Sequence, residues 1–73
     1  MSKFFSGDEM VKRLKRLGFE VVSQKGSHLK LRSTGSKKIR TVIVPMHKQI
    51  AQGTLKSILI QAGITKMELD NAK

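Results

Sequence analysis

The sequence contains no cysteine, and this absence excludes two means by which small domains are commonly held together. Neither disulfide bonds nor a thiolate zinc site can form. Because small secreted domains usually depend on one of them, we expect an intracellular protein that resides in the cytoplasm. The N-terminal residues also lack the apolar run of a signal peptide, and no stretch is long and apolar enough to span a bilayer.

Aromatic side chains are scarce as well. The three that occur, Phe4, Phe5 and Phe19, all have expected packing roles. The flat rings on which single-strand binders stack unpaired bases are therefore poorly supplied. Any recognition of nucleic acid is expected to depend on phosphates and overall shape.

Acidic residues are the third scarcity, since five Asp and Glu stand against 15 Lys and Arg, for a formal net charge of +10. All five lie toward the two ends of the chain, and no acidic side chain occurs between Val21 and Met67. A chain with such a cationic middle is expected to bind a polyanion. The alternative is a solvated surface that only keeps the protein in solution, but the segregation of the acids argues against it.

The same inventory removes several enzyme classes. A two-metal nuclease needs clustered carboxylates, and Asp8 and Glu9 are already explained by helix capping. Without a P-loop, a dinucleotide fingerprint or a cysteine nucleophile, nucleotide hydrolysis and thiol chemistry have no support. We therefore expect neither a metal ion nor another cofactor.

Residues 1–73 are expected to form a single domain with a thin core, because so short a chain buries little surface. A first helix is predicted to begin at Gly7, with Ser6 as N-cap, Glu9 closing a capping box and Phe5 packed on Met10. Gly18 suits a left-handed helix end. Four basic residues are expected on the outer face of this helix: Lys12, Arg13, Lys15 and Arg16. We interpret them as complements of the helix dipole rather than as nucleic-acid contacts.

From Phe19 onward the hydrophobic period changes to the alternation typical of strands. A β-hairpin is predicted from residues 19–24 and 28–33, with residues 25–27 as the turn. In its second strand, alternation puts His28, Lys30 and Arg32 on one face. A third strand is predicted over residues 39–44 and ended by Pro45, but its apolar residues occur on both faces, so the side chain of Arg40 cannot be assigned.

A second helix is predicted after a polar loop, with Thr54 as N-cap and Gly63 as its left-handed end. Residues 65–73 carry a further capping pattern and are expected to form a short helical turn or a frayed tail. The order α-β-β-β-α predicts an α+β two-layer sandwich, in which a three-stranded antiparallel sheet carries both helices on one face. The opposite face, with His28, is then left for function.

His28 is the main candidate for chemistry, because histidine transfers protons near neutral pH and RNA supplies its own nucleophile in the ribose 2′-hydroxyl. A histidine base with lysine or arginine neutralising the phosphorane would cleave RNA without metal. From the pattern alone, a histidine that only hydrogen-bonds within the turn or extends a binding surface is equally well supported. His47 is better explained as a loop or phosphate contact, and is kept as a second candidate acid.

In combination, four segments resemble the HicA family of toxin mRNA interferases, which are toxins of toxin-antitoxin pairs. They are Leu17-Gly18-Phe19, Gln24-Lys25-Gly26-Ser27-His28, Thr41-Val42-Ile43-Val44-Pro45-Met46-His47, and Gly53-Thr54-Leu55-Lys56-Ser57-Ile58-Leu59 running into Gln61-Ala62-Gly63-Ile64. The resemblance covers nearly the whole chain. It implies a fold similar to the double-stranded RNA-binding domain, cleavage of mRNA, a catalytic His28, and neutralisation by a HicB-type antitoxin that covers the active face.

The chain is thus predicted to be a metal-independent endoribonuclease toxin. RNA contacts are expected from eight residues: Lys25, Ser27, Lys30, Arg32, Lys37, Lys38, Arg40 and Lys48. One alternative is a non-catalytic RNA-binding module that uses the same face, although the second helix begins with a single lysine, Lys56, where double-stranded RNA binders are rich in lysine. Another is an interaction protein whose cationic face binds an acidic protein.

Overall fold

The computed structural model describes residues 4–33 and 38–73 of the chain, and these contain three helices and three strands. Their bounds in chain order are α1 Gly7–Arg16, β1 Phe19–Lys25, β2 His28–Ser33, β3 Thr41–Pro45, α2 Gln52–Ala62 and α3 Lys66–Asn71. The strands form one antiparallel sheet in the order β1-β2-β3. The predicted α+β arrangement is therefore confirmed.

One face of the sheet packs against the helices, and we call it the covered face. It carries Leu29 and Leu31 of β2 and Val42 and Val44 of β3, all of them buried. These side chains share one core with apolar residues of the helices and loops: Phe5, Met10, Leu14, Ile50, Leu55, Ile58 and Leu69. The opposite face, which we call the open face, has no helix over it in the described part of the chain. Thus the buried side of β3, which the sequence left undecided, is the side of its two valines.

Helix α1 begins as predicted, because the Ser6 hydroxyl accepts a hydrogen bond from the Glu9 amide at 3.1 Å. Gly7 allows the start of the helix to lie against the chain that follows β3. A Cβ atom on Gly7 would lie 2.7 Å from both the Met46 Cα and the Pro45 carbonyl oxygen. The Gly7 amide also donates to the carbonyl of His47 at 2.8 Å. The beginning of α1 is therefore fixed next to the end of β3.

The prediction that Arg13 lies on the outer face of α1 is wrong, since this residue is only 5% exposed. Its Nε donates to the Glu9 carboxylate at 2.9 Å, and its Nη1 donates at 3.0 Å to the carbonyls of Leu69 and Asp70. Its guanidinium carbon lies 4.9 Å from the centre of the Phe5 ring. These partners offset the cost of burying the charge. Glu9 lies one turn earlier in α1, but the other partners come from α3 and from Phe5 before α1, which helical spacing alone does not reveal.

Strands β1 and β2 form the predicted hairpin, but Lys25 belongs to β1 instead of the turn and lies opposite His28. The turn is thus Gly26 and Ser27, with Gly26 at a φ of 59°, as expected for the first position of a type II′ turn. β1 contains a bulge at Val22, because the pairing passes directly from Val21 to Ser23.

Strand β3 is shorter at its start than the predicted range 39–44 and extends one residue further, to Pro45. The strand begins later than predicted because the Arg40 amide, just before it, donates to the side chain of Ser33 in β2 and not to a backbone carbonyl of that strand. The Ser33 hydroxyl accepts from the Arg40 amide and the Ser33 amide donates to the Arg40 carbonyl, both at 2.9 Å. Ile39 lies outside the strand and is 72% exposed.

The outer edge of β3 is largely blocked. The Ile43 amide points away from β2 and donates to Oε1 of Gln61 on α2 at 3.0 Å. Pro45, two residues later and oriented the same way, has no amide hydrogen. β1 forms the other edge of the sheet, and in the described residues no strand lies beyond it.

Helix α2 begins at Gln52, so the prediction of Thr54 as its N-cap is wrong. Its N-cap is Ala51, which makes no side-chain capping bond, and the Leu55 amide donates to the Ala51 carbonyl at 2.9 Å. The first turn needs no side-chain cap because Gln52 and Gly53 are exposed to solvent, which can satisfy free amides. Gly63 ends the helix as predicted, with a φ of 69°.

The tail forms a helix rather than fraying. Thr65 and Glu68 make the predicted capping box at the start of α3, and Leu69 is fully buried against the core. None of the helices formed by residues 4–33 and 38–73 has the length and apolar character needed to cross a membrane.

Candidate nucleic-acid interface

The open face carries the three β2 residues that alternation predicted, His28, Lys30 and Arg32. Pairing surrounds each of them with one residue from either neighbouring strand. Lys25 and Pro45 flank His28. Ser23 and Ile43 flank Lys30, and Glu20 and Thr41 flank Arg32. The prediction that these three β2 side chains share a face is confirmed.

His28 lies at the start of β2, beside a shallow depression. The depression is lined by Ser23, Lys25, His28, Lys30 and Ile43. His28 is exposed, and no described residue makes a hydrogen bond to its imidazole. Both ring nitrogens are therefore available to a ligand that enters the depression.

The depression is electropositive because Lys25 and Lys30 both line it and no acidic residue does. Lys25 is exposed, whereas Lys30 is partly buried in the central strand. Among the described residues, the acidic side chain on the open face is Glu20, which lies opposite Arg32, four residue pairs along the hairpin from His28. A phosphate in the depression would thus meet two lysines and a histidine.

The bulge at Val22 brings Ser23 and Lys25 to this face. Strict alternation from the buried Phe19 would put residues 21, 23 and 25 on the covered face. Because Val22 is an extra residue, the alternation changes sides there, and Ser23 and Lys25 pair with residues of the open face. Sequence reasoning therefore missed Ser23 as a site residue, and no signal in the chain marked the bulge.

Ile43 is the second site residue that the sequence did not identify. It is 37% exposed and lies opposite Lys30 on the open face. The apolar residues of β3 occur on both sides of the strand, so only the pairing with β2 could assign it. It adds an apolar surface to an otherwise cationic depression.

The structure separates several predicted RNA contacts from this depression. Ser27 lies in the hairpin turn, where its carbonyl accepts from the Met46 amide at 2.6 Å. Lys38 is exposed just before β3. Lys37 lies outside the described residues. Contact of these residues with RNA stays a prediction.

Arg40 lies on the side of the helices. A Cβ atom placed on Gly63 would be 2.5 Å from the Arg40 guanidinium carbon, so the arginine packs against the end of α2. A cation there complements the negative end of the helix dipole. Arg40 is not brought together with His28, and its contact with RNA likewise stays a prediction.

His47 and Lys48 line a different depression, next to the start of α1 and with Ser6, Asp8 and Met46. Both residues are exposed. Neither lines the depression that holds His28, so the structure does not join the two histidines in one site.

A metal ion in a protein is usually held by three or more histidine, cysteine or carboxylate side chains. Within residues 4–33 and 38–73, no three of them come close enough together to hold a metal ion.

Residues 7–64 match the family model described as the HicA toxin of bacterial toxin-antitoxin. The chain belongs to the HicA toxin family. The range that matches HicA toxins contains the whole sheet, the depression and α2, whereas α3 lies beyond it. A search of the curated proteins gave no match.

Membership in the HicA toxin family gives the chain a place in a bacterial toxin-antitoxin pair. A toxin of this kind has an antitoxin partner. The resemblance found in the sequence is therefore confirmed at the level of the family.

Proposed function

We propose that this HicA-family toxin is a metal-independent endoribonuclease that cleaves mRNA, with His28 as its general base. The observation that supports the proposal best is the position of His28, exposed at the start of the central strand and beside Lys25 and Lys30 in one depression. RNA is the substrate class because its phosphates complement this charge and its 2′-hydroxyl provides a nucleophile within the substrate.

In the proposed reaction, the His28 imidazole takes the proton of a ribose 2′-hydroxyl, and the 2′-oxygen attacks the adjacent phosphorus. Lysines of the open face neutralise the charge that develops on the phosphorane oxygens. Arg32 extends the cationic face along β2 and contacts a neighbouring phosphate. The products are a 2′,3′-cyclic phosphate and a 5′-hydroxyl end.

The partner is proposed to be a HicB-type antitoxin that covers the open face. The support is that the open face has no helix over it in the described residues and carries an excess of positive charge. An acidic surface on the antitoxin would complement it, and would block access of RNA to His28 at the same time.

The test is cleavage of single-stranded RNA by purified protein, compared with the variant His28→Ala. We expect the rate to fall by about 10²-fold or more, since general-base catalysis contributes roughly that factor. RNA affinity and thermal stability should change little, because His28 is exposed and makes no described hydrogen bond. Cleavage should persist in EDTA and should leave DNA of the same sequence intact.

A non-catalytic RNA-binding module is the second candidate function. It is favoured by the absence, among the described residues, of any group that orients the His28 imidazole, because catalytic histidines are commonly held by a neighbour. Full cleavage by His28→Ala would contradict the proposed role of this residue. Salt-dependent binding with RNA left intact by the unaltered protein would instead favour the binding module.

A further inference from the structure

The proposed reaction lacks a group that protonates the leaving 5′-oxygen, and the geometry points to Lys30. We infer that Lys30 is the proton donor, an inference that rests on the proposed ribonuclease function. The lining of the depression limits the choice, since it contains two lysines, one serine and one isoleucine besides His28. Of these, only the lysines carry a positive charge and an acidic proton near neutral pH.

Lys30 is the better placed of the two lysines for in-line displacement. The base and the acid must lie on opposite sides of the phosphorus atom. Lys30 follows His28 by two residues on β2, so the two Cα atoms are separated by about 6.6 Å along the strand, and both side chains point from the same face. This leaves a gap between them for a phosphate. Lys25 instead lies directly opposite His28, and thus beside the base.

The surroundings of Lys30 also restrict its motion. It lies in the central strand between Ser23 and Ile43, and it is partly buried, whereas Lys25 is exposed at the end of the hairpin. A lysine held on both sides loses less freedom when it meets a substrate atom. We assign Lys25 to neutralisation of the phosphate charge.

His28 accepts the 2′-hydroxyl proton while the bond between the 2′-oxygen and phosphorus forms. The bond between phosphorus and the 5′-oxygen breaks, and the 5′-oxygen takes a proton from the Lys30 ammonium group. Exchange with water then returns His28 and Lys30 to their starting forms. No metal ion or other co-reactant enters this step.

The experiment uses two RNA oligonucleotides that differ in one atom. One has the natural 5′-oxygen at a single cleavable phosphate, and the other has sulfur at that bridging position. Sulfur leaves as a thiolate without needing a proton, because thiols ionise near pH about 8.5, far below alcohols. Loss of the proton donor should therefore slow cleavage of the oxygen substrate alone.

The decisive variant is Lys30→Arg, which keeps the positive charge but cannot give up a proton. We expect single-turnover cleavage of the oxygen substrate to fall about 10²-fold or more, with cleavage of the sulfur substrate within a few-fold of the unaltered protein. Lys30→Met is the second variant, and it should add a loss of affinity. Lys25→Met should slow both substrates equally. Lys56→Met, an exposed lysine of α2, should change neither rate.

Equal losses of Lys30→Arg on both substrates would overturn the inference, since Lys30 would then act through charge alone. The inference would also be overturned if Lys25→Met cleaved the sulfur substrate at the normal rate and the oxygen substrate slowly. The proton donor would then be Lys25. Failure of the proposed function gives a different result, because the unaltered protein would then cleave neither substrate. Binding of a 2′-deoxy analogue and circular dichroism show that each variant is folded.

Discussion

Arg13 and Arg32 carry the same guanidinium group on the two sides of the sheet, and their surroundings are opposite. Arg13 is 5% exposed and bonds the Glu9 carboxylate and two carbonyls of α3, above the ring of Phe5. Arg32 is exposed on the open face, and no described residue bonds its guanidinium. The donors of one are used within the protein, while those of the other remain available to a ligand.

This comparison separates structural from functional charge in a protein with 15 Lys and Arg. Net charge alone suggests that every cation contributes to binding of a polyanion. The structure shows that a cation near the helices can belong to the core. Substitution of a cation buried on the helical side should therefore change stability, and substitution of a cation on the open face should change RNA binding or cleavage.

Arg13→Met is the substitution from which we expect the largest effect, and this effect is on stability. Removing the guanidinium leaves two α3 carbonyls and the Glu9 carboxylate without this donor, so the free energy of unfolding should fall by about 3 kcal/mol. Urea denaturation followed by circular dichroism measures it. The rate of RNA cleavage per folded molecule should be unchanged.

Lys12→Met is the matched control, because Lys12 is an exposed cation on the neighbouring position of α1. It should alter the unfolding free energy by less than about 0.5 kcal/mol. Equal stability of the two variants would show that the buried bonds of Arg13 contribute little, and the contrast with Arg32 would then fail.

A smaller effect is expected of Gly7→Ala, which tests the close approach between α1 and the end of β3. The added Cβ would lie 2.7 Å from backbone atoms of Met46 and Pro45, so the chain must shift, at a cost of about 1 to 3 kcal/mol. The control is Gly53→Ala in α2, where the added Cβ would meet no described atom within 4 Å beyond its chain neighbours and the backbone of its own helix. That change should raise stability by about 0.5 kcal/mol, since alanine favours helix. Thermal unfolding should show a lower unfolding temperature for Gly7→Ala and a higher one for Gly53→Ala. A lower unfolding temperature in both variants would contradict the role given to the packing of Gly7.

The smallest effect is expected of Arg32→Ala, which should leave the unfolding temperature unchanged. Loss of one phosphate contact should lower the slope of log affinity against log salt by about 0.7. Fluorescence anisotropy with a short RNA at several salt concentrations measures it. Arg16→Ala, an exposed arginine on the helical side, should leave the slope as it is. An equal change in both variants would mean that RNA does not distinguish the two sides.

Local signals in the sequence predicted most of the fold. Ser6, Gly63 and the pair Thr65 and Glu68 end or begin helices as expected, because capping depends on neighbours within four residues. Alternation in β2 also put His28 on the open face correctly. These features need no knowledge of distant parts of the chain.

The features that could not be predicted depend on distant residues. Arg13 is buried because α3, more than fifty positions later, supplies two carbonyls. The start of β3 is set by hydrogen bonds to Ser33. The sheet face on which Ser23 and Lys25 lie is set by the bulge in the pairing of β1 with β2. Periodicity within one segment carries no information about such partners.

The difference between the two sheet edges limits how copies of this chain could join. Of the three β3 residues whose amides point outward, Thr41, Ile43 and Pro45, Ile43 already donates to Gln61, and Pro45 has no amide hydrogen. Addition of a strand from another molecule is therefore favoured at the β1 edge. Two copies paired through β1 would form a six-stranded sheet with a largely blocked strand at each end. Growth by strand pairing beyond a dimer would therefore be disfavoured, so the fold resists open-ended fibres.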